Sequence, residues 1–206
     1  MKFLIITKKH IMLGIAAVLA VTGITVGSVS TFANNDRKLP IYCVETDKKQ
    51  LAISFDAAWG NDDTQTLIDI LKEYDVPATF FVVGSWVDKY PESVKALSDA
   101  GHQIQNHSNT HPHMPQLSKE QMIDELQSCN KKIEAITGVC PTLHRPPYGD
   151  YDNALIESTA SINMYTIQWS VDSLDWKENA TADSICKRVT SKVKNGSIVL
   201  FHNDAD

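Results

Sequence analysis

Short apolar runs recur along the chain at 51–55 (LAISF), 78–83 (ATFFVV), 102–106 (HQIQN), 141–145 (PTLHR), 165–171 (YTIQWSV) and 197–202 (SIVLFH). Each has the length of a buried strand and is too short for a helix. The intervening segments carry helix-end signals. Asp62 or Asp63 can cap a stretch running to Tyr74, and Pro91 opens a helix over 91–100 that Gly101 stops. Ser118 with Gln121 forms a capping-box pattern before a long helix toward Thr137 and Gly138. Thr181 or Asp183 starts a helix ending near Asn195 and Gly196. Strand–helix alternation of this kind predicts βαβ units and a parallel sheet. Six such units predict an α/β fold of the β/α barrel type, and no internal repeat is visible.

The first 33 residues break this rhythm. Lys2, Lys8 and Lys9 give a basic start, no acid precedes Asp36, and positions 11–33 are uncharged and apolar or small. This predicts a signal peptide with a small-x-small cleavage site at Thr31, Phe32 and Ala33, or an uncleaved membrane anchor, since about 20 apolar residues span a bilayer. Either way the protein is expected outside the cytoplasm, secreted or held at the cell envelope. Positions 34–49 read as a polar lead-in and 50–206 as the folded domain.

The whole chain has 206 residues and a formal charge of −6, with 43% hydrophobic and 21% charged residues, which suits one globular domain. Without positions 1–33, which hold three lysines and no acid, the remainder carries −9. A negative balance with no basic stripe excludes nucleic-acid binding, which needs phosphate neutralisation. Cys43, Cys129, Cys140 and Cys186 form no CxxC pair, and their spacing assigns no disulfide. Nothing in the pattern sets an oligomeric state.

In a β/α barrel the chemistry sits on loops after the strands' C-terminal ends. Asp56 follows the first strand, His107 and His111 the third, 145–149 the fourth, and Asp172, Asp175 and Trp176 the fifth; His202 ends the sixth. Polar residues therefore gather on one rim, as an enzyme requires. Singly, each motif has a plain structural reading. HSNTH (107–111) puts two imidazoles four residues apart, able to share one metal ion if the turn is helical, yet seven histidines can give that spacing by chance. HRPPYG is also a rigid surface turn, DSLDW a capped helix start, and LFH a core strand ending in a satisfied histidine.

Taken in order, SFDAAW, HSNTH, RPPYG, DSLDW and LFH resemble the polysaccharide deacetylases of carbohydrate esterase family 4, with their NodB-like domain. The resemblance covers 51–203 and is nearest the sporulation-associated branch. It implies an incomplete, distorted β/α barrel and removal of N-acetyl groups from amino-sugar polymers, peptidoglycan above all. A divalent metal, zinc in this family, would be held by His107 and His111. Asp56 would be the general base, paired with Arg145, and His202 the general acid, oriented by Asp175. Tyr148 would supply an oxyanion N–H, with Trp176 and Leu200 walling the acetyl pocket.

Two departures qualify this. The family's second aspartate, a metal ligand, is here Ala57, which leaves open a two-histidine site, Asp62 or Asp63 as a substitute ligand, or a glycan-binding relic. An O-acetyl esterase of the xylan type fits the same motifs. The chain also ends four residues after His202, so the barrel is expected to lack its last strand–helix unit and to leave an edge open.

Overall fold

The computed structural model describes residues 37–204, so the leader expected at 1–33 lies outside the described residues. Strand β1 (Ala52–Ala57) is followed by helix α1 (Thr64–Glu73), β2 (Thr79–Val82), and helices α2 (Gly84–Lys89) and α3 (Pro91–Asp99). Then come β3 (Gln103–Asn106), the long α4 (Lys119–Thr137), β4 (Leu143–His144), α5 (Asn153–Ser161), β5 (Tyr165–Thr166), β6 (Val171–Asp172), α6 (Ala182–Lys192) and β7 (Ile198–His202). The sheet order is β5-β4-β3-β2-β1-β7-β6, and every pairing is parallel.

Most capping signals behave as read, but Asp63, at the N-cap position of α1, makes no side-chain cap hydrogen bond to the helix. Ser118 and Gln121 make a reciprocal capping box, Gly138 ends α4 in the left-handed conformation, and Thr181 caps α6 with Ser184. Helices α2 and α5 have no counterpart in the sequence reading. Asp152 caps α5 by accepting the Leu155 N–H at 2.8 Å.

The largest correction concerns 165–171, expected as one strand. It bends into two short strands at opposite ends of the sheet, β5 on β4 and β6 on β7. One segment thus joins the two ends, curling the sheet into a distorted barrel with fewer strands than a complete one. β7, the last strand in the chain, lies inside the sheet between β1 and β6, and the sheet ends at β5 and β6. The lead-in adds a lace: Ile41 exchanges backbone hydrogen bonds with Thr166 and Gln168, and Val44 bonds to Gly196.

Strand alternation then sorts the side chains. Phe55 and Ala57 face outward into the main core with Phe80, Val82, Trp86 and Val94. Ser54 and Asp56 face the barrel interior, where Phe81, Ile167 and Ile198 form a second cluster.

Candidate active site

Asp56 ends β1 inside the barrel mouth and is held by Arg145, whose side chain is 0% exposed. The Arg145 Nη1 donates to Asp56 Oδ1 at 2.8 Å and Nη2 donates to Ser54 Oγ at 2.8 Å, while the guanidinium lies 4.1 Å from the Phe81 ring centroid. Burial raises the Asp56 pKa, but Arg145, then His107 and His202, outweigh it and hold the carboxyl below its usual range. Asp56 is therefore ionised at neutral pH.

His107 follows β3. Its Nδ1 donates to the Arg145 carbonyl at 2.7 Å, which leaves Nε2 bare and 3.6 Å from Asp56 Oδ2. The ring of His111 stands 5.0 Å away, centroid to centroid. The turn that brings them together is not helical: Ser108 and His111 both have positive φ, 67° and 62°. Such backbone costs energy and needs support. Asn106 Oδ1 accepts the Ser108 N–H, Ser108 Oγ accepts the His111 N–H, and Glu125 of α4 accepts from the N–H groups of Asn109 and Thr110, each near 2.8–3.0 Å. Burial lowers both imidazole pKa values, that of His111 to about 4 with His107 adding to the shift. Both rings are neutral donors.

His202 ends β7 opposite. Its Nδ1 donates to Asp175 Oδ1 at 2.8 Å, and its backbone N–H donates to Asp175 Oδ2 at 2.7 Å. Burial works against protonation, yet the Asp175 hydrogen bond and the Asp56 charge prevail and raise the pKa. An acid and a base thus face one cleft with their pKa values pushed apart, the arrangement proton transfer needs.

The cleft measures about 730 Å³ and is lined by Asp56, His107, His111, Tyr148, Trp176, Leu200 and His202, so the rim residues named from sequence converge there. Arg145 and Asp175 stand behind them. Tyr148, at φ 60°, is the middle residue of the 3-10 turn Pro147–Gly149, where Pro146 and Pro147 supply no N–H. The structure does not bring in Asp62 or Asp63: Asp62 is exposed, and Asp63 accepts the Asp204 N–H at 2.8 Å. Neither lines the cleft, a correction to their reading as substitute ligands. Asp172, read from the sequence as a rim residue, lines the cleft; Ser54, Trp59, Glu125 and Asp204 also shape the site and were not singled out, since only their places beside β1, α4 and β7 give them meaning.

The fit to a metal is partial. Two neutral imidazoles, one with its second nitrogen anchored on a carbonyl, suit a divalent cation such as zinc. Ala57 is fully buried in the outer core and supplies nothing, and among the described residues no three His, Cys, Asp or Glu side chains form a metal-holding group. The donors match in type and fall one short in number.

Comparison with known proteins agrees with this fold. The polysaccharide deacetylase family matches residues 44–167. A peptidoglycan-N-acetylglucosamine deacetylase of Bacillus cereus is 31% identical over 156 residues, 76% of this chain and 56% of that protein. The peptidoglycan-N-acetylmuramic acid deacetylase PdaA of Bacillus subtilis is 37% identical over 139 residues, 67% of this chain and 53% of that protein. The chain spans about half the length of these curated relatives. Among solved structures, wild-type BA3943, described as a pseudoenzyme of carbohydrate esterase family 4 from Bacillus anthracis, superposes with a TM-score of 0.78 at 37% identity, covering 81% of this chain and 59% of that one. With the family matched over more than half its length and the fold shared, the chain belongs to the polysaccharide deacetylase family.

Proposed function

We propose that this domain hydrolyses N-acetyl groups on an amino-sugar polymer of the cell wall, peptidoglycan by preference, outside the cytoplasm. The observation that carries the reading is the facing pair in one cleft: Asp56 held ionised by Arg145, and His202 with its hold on a proton strengthened by Asp175. Asp56 Oδ2 takes a proton from the attacking water, and Arg145, bonded to Oδ1, keeps the carboxyl ionised and ready to accept it. His202 Nε2 gives a proton to the departing amine, while Asp175 fixes the ring through Nδ1. The Tyr148 N–H donates to the developing oxyanion, and Leu200 and Trp176 enclose the acetyl methyl. A divalent cation, zinc in our reading, would sit on His107 and His111 and supply Lewis-acid polarisation of the acetyl carbonyl. The leader at 1–33 would export or anchor the domain, and membership of the sporulation-associated branch belongs to the same reading.

The test is acetate release from N-acetylglucosamine oligomers by the full chain with added zinc. Release that disappears in Asp56→Asn supports the hydrolase. A second reading, a glycan-binding protein without turnover, rests on the buried Ala57 and the missing third ligand. Glycan binding with no acetate released across several divalent metals would establish it instead.

A further inference from the structure

We propose that the end of the barrel opposite the cleft rests on a phospholipid bilayer surface through an apolar strip, Leu39, Ile41, Val44, Val139 and Tyr165. The cleft then opens away from the membrane. This rests on the reading of the leader as an uncleaved anchor and adds which face of the domain the membrane meets.

The placement follows from the parallel sheet. Its seven strands run the same way, so their starts share one end of the barrel and their finishes the other. Asp56, His107 and His202 stand at the finishes, where the cleft opens. At the starts, Ile41 pairs with Ile167 beyond β5, which sets Leu39 level with Tyr165, and Tyr165 pairs with Leu143 of β4. Val139 lies in the loop before β4, and Val44 bonds to Gly196 just before β7. The 6 residues of β1 set the two ends about 20 Å apart.

Leu39, Val139 and Tyr165 are each 63% exposed, Val44 55% and Ile41 40%. Paired backbone holds most of them in place. The Ile41 N–H donates to the Thr166 carbonyl at 2.9 Å, the Ile41 carbonyl accepts the Gln168 N–H at 2.8 Å, and the Tyr165 N–H donates to the Thr142 carbonyl at 2.9 Å. The Val44 N–H reaches the Gly196 carbonyl at 2.9 Å, an approach only glycine permits, since a Cβ at 196 would collide with the Val44 carbonyl. Apolar side chains fixed outward in this way can enter a lipid boundary with little ordering left to do. Tyrosine suits that boundary because its ring is apolar and its hydroxyl stays wet. Exposed Lys48, Lys49 and Lys194 stand at the same end against Glu45 and Asp47, in a chain that is acidic overall, and can meet headgroup phosphates. The sequence points to the occupant: the uncharged run at 11–33 is long enough to span a bilayer and stops six positions before Leu39.

The experiment reconstitutes the full chain in vesicles of phosphatidylethanolamine and phosphatidylglycerol that carry a headgroup-nitroxide lipid. A fluorophore sits on Cys140, exposed beside Val139, with Cys43→Ser and Cys186→Ser removing the other exposed thiols. Flotation shows first whether the chain stays with the vesicles. The Cys140 fluorophore is expected to be quenched at least about threefold more than one attached in a Glu178→Cys/Cys140→Ser variant, whose label lies on the loop after β6 beside the cleft. Leu39→Ser/Val139→Ser/Tyr165→Thr should bring Cys140 quenching down to the Glu178→Cys level while the chain still floats and keeps its Tm in detergent. Equal quenching at the two positions, or unchanged quenching in the triple variant, overturns the proposal and leaves the anchor standing. Cross-linking of Cys140 between copies, with no quenching, would show a second copy on the strip and also overturns it. A chain that does not float overturns the anchor reading and this proposal together.

Discussion

His144 offers a sharp test of how the barrel wall is built. It lies on β4, opposite Asn106 on one side and Thr166 on the other, and is fully buried. Among the described residues neither ring nitrogen has a hydrogen-bond partner. Burial, reinforced by His107, pushes its pKa down to about 3. An unfolded chain carries this imidazole near pKa 6.5. Between those values the unfolded state binds the extra proton, so the His144 contribution is complete above about pH 6.5 and drains away as pH falls toward 3. Integrated from pH 7 to pH 5, the loss is about 2 kcal/mol. His144→Leu keeps a similar volume and removes the titration. At pH 7 the variant should be at least as stable, because an unpartnered buried polar atom costs about 1–3 kcal/mol. Urea unfolding in chelator at pH 7, 6 and 5 reads the difference directly; the other buried imidazoles are common to both proteins and cancel. The wild type should fall behind the variant by about 2 kcal/mol over that range. Parallel stability curves would refute the neutral, unpartnered His144.

Asp56→Asn should lower turnover by about 10²–10⁴-fold, the usual share of a general base, and should also lower Tm, because Arg145 loses the partner of a buried ion pair; wild-type acetate release would remove Asp56 from that role. Ala57→Asp should lower the stability of the zinc-free protein, since the carboxylate enters an apolar pocket, and zinc should restore it with tighter binding; identical zinc affinity by calorimetry would show that position 57 does not reach the metal. Glu125→Ala should release the 107–111 loop and weaken zinc binding about tenfold, whereas Glu125→Gln, which still accepts from two backbone N–H groups, should keep most of it; equal zinc affinity in wild type and Glu125→Ala would sink the supporting role.

Much of the outline was legible along the chain. Strand-length apolar runs with capping residues between them state the α/β alternation, because burial demands a period and helix ends demand hydrogen-bond partners that Ser118, Thr181 and Gly138 visibly provide. The 165–171 run misled for a physical reason. Continuous hydrophobicity reports burial, and burial is equally satisfied when the segment bends and pairs with two different neighbours. The HSNTH spacing was suggestive for the wrong geometry, since its two rings meet through a left-handed loop braced by Glu125 from a distant helix.

By itself, then, the order of residues determined the element types, the parallel barrel and the set of chemical groups on one rim, since these depend on local periodicity and on the rule that strand ends share a face. Tertiary structure alone decided that Arg145 reaches 89 positions back to ionise Asp56, that Asp63 bonds to the 204 backbone while staying out of the cleft, and that Ala57 faces the outer core. Those outcomes depend on which strands become neighbours and on which side each side chain points, and contacts between segments far apart in sequence leave no periodic trace along the chain.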